Sequence, residues 1–293
     1  MRLVSWNIHG AVGIDRVHDP DRIIACLAQL DGDVIGLQEV DWRHPPIRGH
    51  DQLTLLARGL DMEAIAGPNL RDHRGEFGNG LLVRGEVLAR RRIDLSEPDR
   101  EPRGAIDADL RVRGRTIRVV VTHLGLRRFE RRRQQRTLAA RLMRPPPRPS
   151  EARPELVAVL ADLNEWLPFV RGPLMRGPCP VHVGGPTFPS RAPVVSLDGV
   201  LLGPAGVRAT GGVVHGRPYR IASDHLPVRC DVLGTDADGP RRDSRRTAMD
   251  PPRLCAAIRA CTASQRHDGP RWTGITGHQA RLPVAPGRTM SHS

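Results

Sequence analysis

The segment Val157-Ala158-Val159-Leu160-Ala161-Asp162-Leu163-Asn164 places two polar side chains at the end of a continuous apolar run. A short apolar run rich in β-branched residues predicts a buried strand. Open α/β sheets bind their ligands beyond the ends of such strands. Asp162 and Asn164 are therefore candidate site residues, although Asp-x-Asn alone is also an ordinary turn sequence.

Four other segments repeat this arrangement of polar residues beside a predicted strand. The segments are Trp6-Asn7-Ile8-His9-Gly10, Gln38-Glu39-Val40-Asp41, Thr122-His123-Leu124 and Ser223-Asp224-His225-Leu226-Pro227. Each has an ordinary structural interpretation when taken alone, because solvated turns and strand edges are rich in polar residues. Their occurrence together in one α/β pattern favours a shared site.

Short apolar runs alternate with helical patterns from Met1 to about Leu233, which predicts a mixed α/β domain over residues 1–233. The predicted strands are Leu3–Ile8, Val34–Gln38, Asn79–Val83, Ala105–Val112, Thr116–His123, Val157–Asp162, Leu197–Leu202 and Val228–Val232. The predicted helices are Asp21–Leu30, Gln52–Leu60 and Phe129–Met143. Residues 234–293 are rich in Arg, Pro, Gly, Ser and Thr, and we expect them to form a disordered basic tail.

The net charge of +13 raises the possibility of nucleic-acid binding. All 45 basic residues are arginine, however, and such one-sided usage is also typical of a GC-rich genome. The run Arg127–Arg136 is interpreted mainly as a solvated helix face, with contact to a nucleic-acid backbone as the alternative.

The five cysteines are widely spaced and include no Cys-x-x-Cys pair, so neither zinc binding nor redox chemistry is expected from them. The amino-terminal sequence has no signal-peptide pattern, and no apolar span of membrane-crossing length occurs. We expect a cytoplasmic protein, without a transmembrane segment, that acts as a monomer.

The polar motifs, taken in order, resemble the endonuclease/exonuclease/phosphatase superfamily, and Leu197-Asp198-Gly199-Val200 completes the set. That superfamily includes pancreatic-type deoxyribonucleases, abasic-site endonucleases, neutral sphingomyelinases and inositol polyphosphate 5-phosphatases. The similarity extends from Arg2 to about Val232. Thr187-Phe188-Pro189-Ser190 also looks like small bacterial members. The resemblance implies a four-layer α/β sandwich of two packed mixed β-sheets flanked by helices, with the motifs at one rim.

The resemblance also implies a role for each site residue. It implies that Glu39 is the carboxylate ligand of Mg²⁺ or Mn²⁺, with Asn7 in the same shell or on the phosphate, and that Asp224 supports the metal or its loop. Hard oxygen ligands suit both ions. Asp162 is expected to orient or activate the attacking water, and Asn164 to bind the phosphate.

The remaining roles concern proton transfer and charge. Asp198 is expected to hold His225 as an acid–base pair, and His123 to stabilise charge or to protonate the leaving oxygen. Arg103 is a candidate phosphate contact, with a surface ion pair as the alternative. Asn79 is a weaker candidate because Gly-Asn-Gly is a common turn.

We therefore expect a metal-dependent hydrolase of phosphate esters, foremost a phosphodiesterase or nuclease without sequence preference. The alternatives are a phosphatase or phospholipase-type hydrolase acting on a small-molecule or lipid phosphate, and a catalytically silent binding protein. Ala161 stands where the superfamily has glycine, which raises the question whether Asp162 is displaced. His9 and His123 resemble the deoxyribonuclease and sphingomyelinase branches and argue against abasic-site repair.

Overall fold

The computed structural model describes residues 1–144, 154–167 and 172–235. Within them the chain forms twelve strands and five α-helices. The strands are β1 (Arg2–Asn7), β2 (Val34–Asp41), β3 (Glu63–Asp72), β4 (Gly75–Val83), β5 (Glu86–Asp94), β6 (Gly104–Val112), β7 (Arg115–His123), β8 (Leu156–Asp162), β9 (Val181–Gly184), β10 (Asp198–Gly203), β11 (Val207–Val213) and β12 (Val228–Thr235). The helices are α1 (Pro20–Leu30), α2 (Gln52–Leu60), α3 (Arg128–Met143), α4 (Pro173–Arg176) and α5 (Arg217–Ala222).

The strands form two mixed sheets of six strands each. Sheet I has the order β11-β12-β1-β2-β4-β3, and sheet II has the order β5-β6-β7-β8-β10-β9. The only parallel pairs among the described strands are β1 with β2 and β7 with β8. Each parallel pair is connected through a helix, α1 in sheet I and α3 in sheet II, as parallel neighbours require.

Three apolar clusters hold the layers together. The inter-sheet cluster contains inward-facing residues of both sheets, among them Leu81, Ile106, Val121 and Leu160. A second cluster packs α1 and α2 on the outer face of sheet I, and a third packs α3 on the outer face of sheet II. The layer order is therefore helix, sheet, sheet, helix, and the expected four-layer α/β sandwich is confirmed.

The two sheets approach closely beside the site-bearing strands. Gly36 lies in β2, and a Cβ atom added there would lie 2.7 Å from Leu160 Cβ in β8. Glycine at this position lets the parallel pairs of the two sheets face each other with little separation. The polar ends of β1, β2, β7 and β8 can therefore share one rim.

The helices begin and end where local chemistry favours it. Pro20 occupies the first turn of α1, and the Asp19 side chain accepts a hydrogen bond from the Arg22 backbone N–H, which satisfies one of the free donors of the first turn. Asp51 caps α2 in the same way. The three predicted helices are confirmed with shifts of one residue at most.

The predicted strands are all present, but four others were missed: β3, β5, β9 and β11. These strands lie at or next to the sheet edges and carry charged residues, prolines or glycines, so their apolar signal is weak. The expected disordered tail at 234–293 lies outside the described residues, apart from Gly234 and Thr235, which belong to β12. In the part of the chain that the structure describes, no helix is both long and apolar enough to cross a membrane.

Candidate active site

Strand pairing brings the candidate residues of sheet II side by side. His123 pairs with Asp162 across the parallel strands β7 and β8, and Asp162 pairs with Asp198 across the antiparallel strands β8 and β10. All three side chains are buried. Residues far apart in sequence therefore occupy consecutive positions on one edge.

Asn7 connects this edge to sheet I. Its amide nitrogen donates to Glu39 Oε1 at 2.8 Å and to Asp162 Oδ2 at 3.0 Å. One amide thus holds two carboxylates that come from different sheets. The Asn7 oxygen accepts the backbone N–H of His9 at 3.1 Å, which determines the orientation of the amide.

A bulge in β2 directs Glu39 toward Asn7. The register of the β2–β4 pair shifts between Leu37 and Val40, and Glu39 has a φ of +58°. A positive φ is unfavourable for a glutamate and is commonly retained where a side chain serves a site. The bulge therefore indicates that the position of this carboxylate matters more than regular strand geometry.

Asp198 and His225 form a buried pair. Asp198 Oδ2 lies 2.8 Å from His225 Nδ1, and it also accepts a hydrogen bond from the Thr187 hydroxyl. The His225 backbone is held by Ser223 Oγ at 3.2 Å and by the Trp6 indole, which donates to the His225 carbonyl at 2.9 Å. Because Nδ1 faces Asp198, Nε2 is the ring nitrogen that remains for a substrate.

The carboxylate of Asp198 controls the charge of His225. Burial by itself lowers the pKa of the imidazole, but the charge and hydrogen bond of Asp198, with further contributions from Asp162 and Asp224, raise that pKa to about 10. A positively charged ring at neutral pH suits an anionic substrate.

Asn164 follows the end of β8, as expected, and its side chain also orients His123. Its amide nitrogen lies 2.9 Å from His123 Nε2 and donates to the Leu124 carbonyl at 2.8 Å. Its backbone N–H donates to Asp162 Oδ1 at 2.9 Å. Asn164 adopts a φ of +49°, a conformation that asparagine tolerates better than most residues.

Arg103 is buried in a narrow cleft beside His123. Its guanidinium contacts Glu101 at 3.2 Å, and the cleft is also lined by Asn69, Phe77 and Asn79. Arg103 Nε and Asn79 Oδ1 are buried without a hydrogen-bond partner among the described residues. The cleft is too narrow to hold a water molecule, so both atoms are enclosed by protein.

Among the described residues, Asp224 shares no hydrogen bond with Asn7 or Glu39. Its Oδ1 is 4.0 Å from His9 Nδ1, and it is also close to the Ser223 hydroxyl, at 3.4 Å. It adds negative charge beside His225.

One acidic group could hold a metal ion. Asp162, Asp198 and His225 each offer an atom, and these atoms lie within 4.8 Å of one another. Asp198 and His225 already bind each other, however, and Asp198 is fully enclosed, whereas the Glu39 side chain is 22% exposed. Since Mg²⁺ retains several water ligands, the Glu39 side of Asp162 is the better place for such an ion.

The sequence interpretation assigned no role to Thr187 or Phe188, although it noted their motif. The ring of Phe188 lies 5.0 Å from the ring of His225, and Thr187 binds Asp198. Ala161 causes no displacement, because it pairs regularly with Thr122 and Gly199 and its φ is not positive.

Comparison with known proteins agrees with this arrangement. The family described as "PGAP2IP, C-terminal nuclease-like domain" matches residues 1–157. The uncharacterized protein YbhP of Escherichia coli K12 is 26% identical over 250 residues, which cover 79% of this chain and 95% of that protein. Protein cwh43 of Schizosaccharomyces pombe is 34% identical over 145 residues, which are 49% of this chain but only 15% of the yeast protein.

Solved structures share the fold at low identity. An endonuclease/exonuclease/phosphatase from Beutenbergia cavernae has a TM-score of 0.61 at 24% identity, covering 80% of this chain and 72% of that one. The mannosyl-6-phosphatase Bt3783 of Bacteroides thetaiotaomicron has a TM-score of 0.60 at 17% identity, with 80% and 99% covered. D. rerio TDP2, complexed with a single-stranded DNA product, has a TM-score of 0.55 at 18% identity, with 78% and 97% covered.

The family match covers more than half of the chain and begins at its first residue. The solved structures share the two-sheet fold over 78% to 80% of the chain. The chain therefore belongs to the family described as the PGAP2IP C-terminal nuclease-like domain, within the endonuclease/exonuclease/phosphatase superfamily.

Proposed function

We propose that this protein is a hydrolase of phosphate esters that requires a divalent metal ion and acts foremost on phosphodiesters. The observation that carries the proposal is the convergence of the Asp198–His225 pair with Asn7, Glu39 and Asp162 at one rim. Membership in a superfamily of phosphoester hydrolases supports it. A silent binding protein would have no need for a strained glutamate beside a buried acid–base pair.

The donor set fits a hard divalent cation. The Glu39 and Asp162 carboxylates meet at the Asn7 amide, and none of the ion pairs within the described residues joins an arginine to either carboxylate. Carboxylates that are not neutralised by an arginine favour Mg²⁺ or Mn²⁺. Glu39 and Asp162 would hold the ion, with Asn7 and Asp224 as supporting groups. Such an ion polarises a phosphoryl oxygen and lowers the pKa of water.

Hydrolysis then needs an oriented water and a proton for the leaving oxygen. The attacking water loses a proton to the carboxylate that orients it and forms the new P–O bond. The bond to the leaving oxygen breaks, and that oxygen takes up a proton. Asp162 accepts hydrogen bonds from Asn7 and from the Asn164 backbone, so its carboxylate is held to orient the water. His225, charged and anchored by Asp198, stabilises the phosphate oxygens through Nε2.

His123 and Arg103 complete the phosphate-binding surface in this proposal. His123 is placed by Asn164 at the end of β7, where it can stabilise charge or protonate the leaving oxygen. Arg103 lines the adjacent cleft, where its guanidinium adds positive charge beside His123 for an anionic substrate. Its partner Glu101 is half-exposed and holds the other end of the guanidinium.

The metal requirement is tested with the chromogenic diester bis(p-nitrophenyl) phosphate. Turnover should require Mg²⁺ or Mn²⁺ and disappear in EDTA. Glu39→Gln should raise the metal concentration for half-maximal activity at least about tenfold, because it removes a charged ligand. The exposed Glu63→Gln is the matched control and should behave as wild type. Undiminished turnover in EDTA would refute the metal assignment.

The substrate class is tested with one metal-supplemented panel. Nucleic acid cleaved without sequence preference is the first expectation, because the family that matches residues 1–157 is described as nuclease-like. The panel contains plasmid DNA, single-stranded DNA, RNA, sphingomyelin, cardiolipin and inositol phosphates. Intact nucleic acids together with a cleaved lipid or sugar phosphate would refute the nuclease assignment and leave the hydrolase assignment standing. Cytoplasmic location and a monomeric state belong to the same proposal.

A further inference from the structure

Four apolar side chains are exposed at the rim beside the active site. The exposed fraction is 62% for Leu126, 82% for Phe129, 50% for Trp166 and 49% for Leu167. We refer to these four residues as the apolar rim. Soluble surfaces carry single exposed apolar residues routinely, but a group of large ones indicates an interaction surface. Leu126 and Phe129 lie in the β7–α3 loop and the first turn of α3, and Trp166 and Leu167 lie in the loop after β8.

An ion pair with little exposure holds the two loops of the apolar rim together. Arg131 Nη1 donates to the Leu126 carbonyl at 2.7 Å, and Arg131 Nη2 donates to Glu165 Oε1 at 3.0 Å. The same Glu165 oxygen accepts the Leu167 backbone N–H at 3.3 Å. Both loops are therefore anchored to one pair, and the apolar side chains project outward from a supported base.

The apolar rim is continuous with the active site. Trp166 makes an edge-to-face contact with Phe188 at 5.9 Å between ring centroids, and Phe188 contacts the ring of His225 at 5.0 Å. Leu126 follows His123 by three residues in the loop between β7 and α3. A surface that covered the apolar rim would therefore lie directly beside the catalytic histidines.

Arginines surround the apolar rim. Arg127 and Arg128 lie between Leu126 and Phe129, and Arg132 follows one helical turn later. All three are exposed, and none belongs to an ion pair among those found within the described residues. The rim thus combines exposed apolar side chains with uncompensated positive charge.

From this combination we propose that the apolar rim and Arg127, Arg128 and Arg132 dock the protein onto an anionic lipid membrane surface, with the active site facing the phosphate layer. The orientation of the active site toward the membrane rests on the proposed function. The docking itself does not. Amphipathic surfaces of leucine, phenylalanine and tryptophan flanked by arginine insert into the headgroup region and gain affinity from anionic lipids. Nucleic acid fits less well, because it offers stacking partners for aromatic rings and none for two leucines.

Docking is measured with the full-length protein by vesicle sedimentation. One set of vesicles contains phosphatidylcholine alone, and the other contains phosphatidylcholine with phosphatidylserine. Wild type should sediment with the anionic vesicles. The double variant Leu126→Ser, Phe129→Ser should lower the partition coefficient at least about tenfold, because two apolar side chains no longer insert. Leu233→Ser, at an equally exposed position in β12, is the matched control and should sediment like wild type.

Charge and insertion are tested separately. The double variant Arg128→Gln, Arg132→Gln should reduce the preference for anionic vesicles, whereas Arg90→Gln, Arg92→Gln, with the same change in net charge, should not. Brominated lipids should quench wild-type tryptophan fluorescence, and Trp166→Phe should remove most of that quenching. The basic residues 234–293 are common to all variants, so they do not affect the comparison.

The outcomes separate docking from hydrolysis. Leu126→Ser, Phe129→Ser should retain bis(p-nitrophenyl) phosphate turnover, because neither residue touches the site. A wild type that turns over no diester but still sediments would refute the proposed function and uphold docking. A wild type that fails to sediment, or a double variant that sediments equally well, would overturn the docking proposal. The docking proposal is also overturned if the variant Leu126→Ser, Phe129→Ser loses affinity for DNA while its affinity for vesicles is unchanged.

Discussion

At the scale of single residues, the chemistry of the site depends on how His225 is held. Asp198 binds Nδ1, Trp6 binds the backbone carbonyl, and Ser223 binds the backbone N–H. The ring therefore has one orientation, with Nε2 directed away from Asp198. Replacing His225 with alanine should lower kcat at least about a hundredfold, because the variant loses the charged ring that stabilises the phosphate oxygens. Rates of bis(p-nitrophenyl) phosphate hydrolysis measure this loss, and circular dichroism establishes that the variant is folded.

Asp198→Asn tests whether the two residues act as a pair. This variant should also be impaired, and the double variant with His225→Ala should be no slower than the slower single variant, because groups that act as one unit are not additive. Near-normal rates for either folded single variant would exclude the pairing.

Thr187 is a positioning residue for the same pair. Its hydroxyl donates to the Asp198 oxygen that faces His225. Thr187→Val should reduce kcat by about tenfold to a hundredfold with little change in KM, because a hydrogen bond to a charged group contributes roughly 1.5–3 kcal/mol. Thr187→Ser should restore most of the rate. Equal losses in the valine and serine variants would contradict this role, because serine retains the hydroxyl and should then preserve the rate.

At the scale of elements, the outer face of sheet II is held by a buried carboxylate between two arginines. Asp107 in β6 accepts hydrogen bonds from Arg118 in β7 at 2.7 and 2.8 Å and from Arg91 in β5 at 3.1 and 3.2 Å. Burial alone would raise the pKa of Asp107, but these two guanidinium groups bring it below its ordinary value. One side chain therefore joins three consecutive strands.

A lowered carboxylate pKa stabilises the fold above the pKa of the unfolded chain and loses that effect as pH falls through the folded pKa. Asp107→Asn should therefore lower the free energy of unfolding at pH 7 by about 3–5 kcal/mol. The difference from wild type should shrink below about pH 3.8, the ordinary aspartate value. Urea unfolding of both proteins at pH 7 and below pH 3.8 measures this difference in stability. Asp109 contacts Arg91 alone at a more exposed position, so the control variant Asp109→Asn should lower the free energy of unfolding by about 1 kcal/mol or less. If the stability that Asp107→Asn loses does not depend on pH, the proposed role of the Asp107 charge is refuted.

At the scale of the whole molecule, the three apolar clusters lie within the domain that ends with β12. Deleting residues 236–293 should therefore leave the melting temperature within about 2 °C of wild type and leave diester turnover unchanged. Calorimetry and the chromogenic assay measure the two quantities. The cut follows Thr235 rather than Leu233, because β12 continues to Thr235. A large fall in melting temperature would show that the tail packs on the domain.

Local sequence patterns were sufficient to predict the mixed α/β class and the eight central strands, whereas the four-layer arrangement was implied only by the resemblance to a known superfamily. The reason is local: a central strand buried on both faces, such as Leu156–Asp162, is a continuous apolar run, so a polar residue at its end stands out. Helix α1 is equally readable because Asp19 and Pro20 mark its start. Edge strands such as β5 alternate charged with apolar residues and carry a weaker signal.

Only the tertiary structure decided how those residues combine. The amide of Asn7 joins carboxylates of two different sheets, Thr187 completes the Asp198–His225 pair, and Arg131 ties two loops into the apolar rim. Asn7 and Asp162 are 155 positions apart in the sequence, and Arg131 and Glu165 are 34 positions apart. No local pattern encodes contacts over such distances. The sequence determined which side chains stand at strand ends, whereas the packing of one sheet on the other, made close by Gly36, determined which of them touch.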